Sequence, residues 1–218
     1  MKTILMSGLY PCFCKKLAEF GYNIILSKKI ESFPEPEQYH ADMQALRIND
    51  RLFTLENCAK KAGEKYPENI LLNCLYLNNT LYGKIDSVDK TVLDYCKANG
   101  IKTVNVNQGY TRCSTLQINE NAVITADKSI ENALKNNGAE VLPISEGHIE
   151  LKGYDYGFIG GAGFYDDNTV YFFGNIKKHP DYDKIREFIK QYNSNIEVLC
   201  QDMPIADIGG AVIINSKQ

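Results

Sequence analysis

Four times along this chain an apolar run meets a turn rich in Asn or Asp and returns as a second apolar run. The four segments are QALRINDRLFTL, CLYLNNTLYGK, STLQINENAVIT and AGFYDDNTVYFFG. Such turns between apolar runs are hairpin signals. Each hairpin is followed by a stretch expected to be helical: Glu56–Lys65, Asp86–Asn99, Lys128–Asn137 and Pro180–Tyr192. Each helix is followed by an expected strand: Asn69–Leu72, Lys102–Asn105, Ala139–Ile144 and Ile196–Cys200. Gly100 and Gly138 stand where helix C-caps belong. The repeat runs at roughly 30–50 residues, a range in which the repeat decides the fold.

A fifth unit is split between the chain ends. Gly209 to Asn215 supplies its first hairpin strand and a turn asparagine, and Lys2 to Gly8 its second. The helix Phe13–Phe20 and the strand 23–27 complete it. Joining both ends in one unit is how a ring of sheets removes its exposed edges. The competing expectation is an ordinary α+β sheet with hairpins.

Bulk properties narrow the function classes. A net charge of −3 gives no general attraction to nucleic acid or anionic lipid. No apolar run reaches membrane-spanning length. The opening MKTILMSGLYPCFCKKL reads as a strand and a helix rather than a secretion signal, because Pro11, Lys15 and Lys16 break it early. Seven cysteines without a CxxC pair favour free thiols and a reducing, cytoplasmic setting over disulfides or zinc. With three histidines, a multi-histidine metal cage is not expected, and no cofactor is called for.

Residues that carry chemistry gather in two stretches. Tyr39-His40-Ala41-Asp42-Met43 puts a histidine and a carboxylate two apart at an expected strand start, where both would face one side. It follows a polar, Pro-containing loop, Ser32 to Gln38, and loops on a rigid scaffold commonly carry function. The second stretch is Thr111-Arg112-Cys113-Ser114-Thr115-Leu116. Read alone, Cys113 is a small buried thiol, His40 a surface histidine and Asp42 an exposed strand carboxylate.

Together with Asn73-Cys74-Leu75-Tyr76-Leu77-Asn78, these stretches resemble segments of the pentein superfamily of guanidino-group-modifying enzymes. That superfamily includes arginine deiminase, dimethylarginine dimethylaminohydrolase and the amidinotransferases. The resemblance implies an α/β propeller of five ββαβ-type units around a central pocket, with the ring closed by the N- and C-terminal segments. One domain would span residues 1–218. Two departures stand out. Two units follow the one bearing Cys113, so the units run in rotated order. The acid of a Gly-Gly-Asp strand is alanine in both echoes of it, Gly160-Gly161-Ala162 and Gly209-Gly210-Ala211.

The resemblance makes Cys113 the nucleophile, its thiolate favoured by a cationic substrate or by protonated His40. His40 becomes the general acid/base, and Asp42 binds the guanidinium through paired hydrogen bonds. Asn73 orients a turn or touches the ligand. His148, Glu150 and Asp207 are candidates for the pocket mouth or for replacement acids, with Glu146 and Asp155 behind them. His179 reads as solvated surface at a helix start. Two functions follow: a cysteine-dependent hydrolase or transferase acting on a small guanidino or amidino compound, or a non-catalytic ligand- or protein-binding protein on the same fold. A homodimer is compatible with either.

Overall fold

A computed structural model describes residues 1–215 as a mixed α/β fold with five small sheets among those residues. Strand β1 (Thr3–Met6) leads into helix α1 (Pro11–Glu19), whose first residue is proline, at a position with no amide hydrogen bond to lose. Strand β2 (Asn23–Leu26) returns parallel to β1. A one-turn helix α2 (Ala41–Gln44) precedes the antiparallel pair β3 (Ala45–Ile48) and β4 (Arg51–Thr54). The next unit is β5 (Leu75–Leu77), β6 (Thr80–Gly83), α3 (Lys90–Ala98) and β7 (Lys102–Asn105). It is followed by β8 (Thr115–Gln117), β9 (Ala122–Thr125), α4 (Lys128–Lys135) and β10 (Glu140–Pro143). The last complete unit is β11 (Gly163–Asp166), β12 (Thr169–Asn175), α5 (Tyr182–Gln191) and β13 (Asn195–Pro204). Finally β14 (Ala211–Asn215) pairs antiparallel with β1, so both ends of the chain share one sheet in the order β14-β1-β2.

All four hairpins form; three turn through left-handed residues, and the β8–β9 turn is held by Asn119 Oδ1, which accepts from the Asn121 and Ala122 amides at 2.7 and 2.6 Å. Asn49, Asn78, Asn79, Asp167 and Asn168 have φ between 46° and 57°. Short polar side chains tolerate that left-handed region, and tight hairpins require it. In each three-stranded sheet the second hairpin strand also pairs in parallel with the strand after the helix. This middle strand is covered on both faces, and β6 and β9 are buried throughout. The helices cover the sheets through apolar pairs spaced i, i+4: Phe13 and Leu17, Val92 and Cys96, Ile130 and Leu134, Ile185 and Ile189. The Asp89 carboxylate caps α3 by accepting from the Thr91 amide at 2.9 Å, and Asp127 caps α4 through the Ile130 amide at 2.8 Å. Gly100 and Gly138 follow α3 and α4 with φ of 64° and 82°.

The second unit departs from expectation. Only a 3-10 turn, Leu55–Asn57, forms where a helix over 56–65 is expected. That segment lacks an apolar stripe, and buried Asp89 binds its backbone: the Ala59 amide at 3.0 Å and the Lys60 amide at 3.3 Å. Residues 69–72 are buried but not a strand. Their carbonyls serve turns instead, Ile70 accepting from the Asn73 amide and Leu72 from the Cys74 amide. His40 and Asp42 lie at the start of α2, not along a strand, so their spacing does not act through strand alternation. His179 is buried rather than solvated, its Nδ1 accepting from the Asp181 amide at 3.1 Å. No helix among the described residues is long and apolar enough to cross a membrane.

Candidate functional site

Three elements distant in sequence converge around Cys113. The first is the start of α2. His40 holds extended backbone at its N-cap (φ −67°, ψ 121°), and the Asp42 amide donates to the Gly209 carbonyl at 3.1 Å. The second is a turn from Tyr110 to Ser114, closed by the Ser114 amide on the Tyr110 carbonyl at 2.9 Å, which carries Cys113 just ahead of β8. The third is the pair of glycine-rich segments. At Gly160 a Cβ would lie 2.7 Å from the Cys113 carbonyl oxygen and closer still to that of Arg112. At Gly209, with φ of 78°, it would strike the His40 side chain. The missing side chains let backbone press against both functional residues.

One nitrogen of His40, a carboxylate oxygen of Asp42 and the sulfur of Cys113 all lie within 4.8 Å of one another, and all three residues are buried. The Cys113 thiol donates to Asp42 Oδ2 at 2.9 Å. Asn73 Nδ2 donates to the same sulfur at 3.1 Å, while its Oδ1 accepts from the Arg112 and Cys113 amides at 2.9 and 3.2 Å. Asn73 is therefore a positioning residue: it ties the Cys113 turn to α2 and is itself buried. His40 Nδ1 lies 4.0 Å from Asp207 Oδ1. That nitrogen and Asp42 Oδ1 are buried without a hydrogen-bond partner, so the site holds open polar positions. Its nitrogen, oxygen and sulfur donors are also near enough to ligate one metal ion together.

Burial dominates the electrostatics. It pushes the Asp42 carboxyl up to about 6, with His40 opposing and Asp207 reinforcing the rise. It pushes the Cys113 thiol well above its ordinary value, helped by Asp42 and Asp207. The site thus holds a neutral thiol hydrogen-bonded to a carboxylate. Arg112 is half-buried behind the site. It donates to the Thr115 carbonyl at 3.0 Å and lines a separate cavity beside β5 and β14.

Asp207 supplies an acid at the center, although Ala162 and Ala211 occupy the motif positions. Its carboxylate accepts from the Phe158 and Gly209 amides at 2.9 and 3.0 Å. It fills the space beside Gly161, where a Cβ would come within 1.8 Å of Oδ1. The two other pocket candidates stand apart. His148 is an exposed loop residue packed against the His179 ring at 5.3 Å, and it lines a neighbouring cavity. Glu150 is exposed and pairs through its backbone with residues 205–207. Glu146 accepts from the Tyr156 hydroxyl at 3.2 Å, and Asp155 is exposed.

His40, Cys113 and Asp207 line a cavity of about 380 Å³. Sequence reasoning misses its other acid, Glu37. Buried Glu37 accepts from the Tyr154 hydroxyl at 2.8 Å, the Tyr110 hydroxyl at 3.1 Å and Asn69 Nδ2 at 3.0 Å. It belongs to the Pro-containing loop before His40, but its partners lie far away in the chain and no spacing announces them.

A sequence profile described as a family of unknown function, DUF6873, matches residues 47–212. The chain belongs to this family. No curated protein matches the DUF6873 chain by sequence. Solved structures of dimethylarginine dimethylaminohydrolase resemble it in fold. One, an adduct with 4-chloro-2-hydroxymethylpyridine, superposes with a TM-score of 0.60 at 9% identity, covering 97% of this chain and 99% of that one. A histidine-to-glycine variant in adduct with S-methyl-L-thiocitrulline gives a TM-score of 0.58 at 10% identity and the same coverage. The Pseudomonas aeruginosa enzyme, as a cysteine-to-serine variant with citrulline, gives 0.57 at 10% identity and 91% of both chains. The DUF6873 chain therefore shares the pentein fold with these structures.

Proposed function

We propose that this protein is a cysteine-dependent enzyme acting on a small guanidinium or amidinium compound, with Cys113 as nucleophile and His40 as general acid/base. The observation that carries the reading is the meeting of His40, Asp42 and Cys113 within 4.8 Å, beside a cavity that His40 and Cys113 both line. The fold shared with dimethylarginine dimethylaminohydrolase, solved in adducts with small molecules, supports it. We further infer that the five sheets close into a propeller-like ring around this cavity, supported by the β14–β1 pairing and the packing of β14 on β3 and β11.

In this reading the substrate's positive charge enters beside Asp42 and Asp207 and lowers the thiol's pKa. Cys113 gives its proton to His40, and the thiolate attacks the central carbon of the planar cation. The tetrahedral adduct collapses by breaking a C–N bond, and protonated His40 delivers its proton to the departing amine. Water then attacks the amidino-thioether, losing a proton to His40. The C–S bond breaks, the product leaves with a carbonyl oxygen in place of one nitrogen, and the proton returns to sulfur. Asp42 and Asp207 hold the cation's N–H groups by charge-assisted hydrogen bonds. The seven free thiols support a reducing compartment such as the cytoplasm.

Burial raises the Cys113 thiol well above its ordinary value, which favours a second reading, a ligand-binding protein without turnover. Incubation with 2-chloroacetamidine followed by peptide mass spectrometry separates the two. An enzyme of the proposed kind is alkylated at Cys113 ahead of the six other cysteines, and His40→Ala slows turnover at least 100-fold. Absence of a selective Cys113 adduct overturns the nucleophile.

A further inference from the structure

The walls of the cavity carry information that the reacting groups do not. One side is a run of aromatic rings. Tyr66 stacks on Tyr110 with centroids 5.7 Å apart and planes 29° apart. Tyr110 faces Phe158 at 6.4 Å and 32°. Phe158 meets the edge of Tyr156 at 6.3 Å and 84°. Leu151 adds an aliphatic surface.

The charges on these walls have one sign. Glu37 and Asp207 line the cavity, and His40 is the only lining residue able to carry positive charge; no lysine or arginine lines it among the described residues. Glu37 is already saturated by the two tyrosine hydroxyls and Asn69. It therefore acts on a ligand through its field rather than by direct pairing, and it fixes the Tyr110 and Tyr154 rings as it does so. A cation lying on the faces of these rings is attracted by their quadrupoles and by the carboxylate behind them. A carboxylate on the ligand would be desolvated beside two acids with no basic partner.

We propose that the cavity selects organic cations that bear no carboxylate: singly substituted guanidinium or amidinium ions whose alkyl or aryl group lies along the tyrosine wall. This rests on the guanidinium reading for the placement of the head group, but selection against the carboxylate does not depend on turnover. Free amino acids with a guanidino side chain are then poor ligands, although the fold is shared with a protein solved in complex with citrulline.

The test uses a pair of ligands that differ at one end only, n-butylguanidinium and 4-guanidinobutyrate. Calorimetric titration is done with Cys113→Ser, which removes covalent chemistry. The expected result is at least 30-fold tighter binding of n-butylguanidinium. Tyr66→Arg, at a half-exposed ring on the mouth, places a cation where a carboxylate would reach and should narrow the difference at least fivefold. Tyr110→Leu should weaken n-butylguanidinium about tenfold while the melting temperature stays within a few degrees. Equal or tighter binding of 4-guanidinobutyrate overturns the proposal, as does failure of both ligands to bind. The chloroacetamidine experiment is scored separately: labelling at Cys113 with a preference for 4-guanidinobutyrate sinks the ligand class and keeps the nucleophile. Selective binding without labelling does the reverse.

Discussion

Asp42 works against the fold that holds it. Its carboxyl is pushed up to about 6 by burial, against an ordinary value of 3.8, despite the opposing charge of His40. A carboxyl raised in the folded state binds protons more tightly there than in the unfolded chain. Its stabilising contribution is complete below pH 3.8 and is lost as the pH rises through 6. The difference corresponds to at most ~3 kcal/mol at neutral pH. Asp42→Asn should therefore be more stable than the parent at pH 7, by ~1–3 kcal/mol, with the gain fading towards pH 4. Urea unfolding across that range measures it, and parallel curves for the two proteins would rule Asp42 out as the group responsible. At Cys113 the raised pKa predicts that alkylation by neutral iodoacetamide, with no substrate added, still accelerates above pH 9, read at the Cys113 peptide. A plateau near pH 7 would mean that the thiolate forms without a ligand. Cys113, His40 and Asp42 are legible in the sequence because short flanking motifs mark them. Glu37 is not, since its partners Tyr110 and Tyr154 lie 73 and 117 residues away. Asp207 is only half legible: its neighbouring Gly-Gly pair is visible, but its seat against Gly161 is a contact of tertiary structure.

At the level of elements, Asp89 shows why a helix expected from the repeat does not form. One buried carboxylate caps α3 through the Thr91 amide and also captures the amides of Ala59 and Lys60. Burial raises its pKa, but hydrogen bonds from the Thr91 hydroxyl and from the Ala59, Thr91 and Lys60 amides hold it below the ordinary value. Hydrogen bonds to a charged group contribute about 1.5–3 kcal/mol each at most, and a lost cap about 1. Asp89→Ala should cost about 3 kcal/mol overall, and amide exchange at residues 59 and 60 should accelerate together with that at the start of α3. If exchange at 59–60 stays slow, something else holds this loop. Hairpins and capped helices are legible because their signals are local: asparagine and aspartate in the left-handed turns, glycine after α3 and α4, and i, i+4 apolar pairs. The second unit is misread because a distant carboxylate, rather than its own sequence, decides its backbone.

For the whole molecule, the decisive pairing is that of β14 with β1, where Thr3 lies opposite Asn215 and its amide donates to the Asn215 side chain at 2.8 Å. A circular permutant that joins Asn215 to Thr3 by a short Gly-rich turn and opens the exposed Asp167-Asn168 turn should fold cooperatively, within ~2 kcal/mol of the parent by urea unfolding. Loss of the cooperative transition would show that the end-to-end strand pair does not close the fold. The pairing of β14 with β1 was legible because the two half-units complement each other in sequence; the seating of Gly209 on His40 was not. The same seating sets an order of events during synthesis. His40, Asp42, Asn73 and Cys113 are all translated before the Asp207 carboxylate beside His40 and before the Gly209 carbonyl that receives the Asp42 amide. A nascent chain therefore carries the Cys113 sulfur without an assembled site until the segment bearing Asp207 and Gly209 has been made, and its reactivity waits on that later segment.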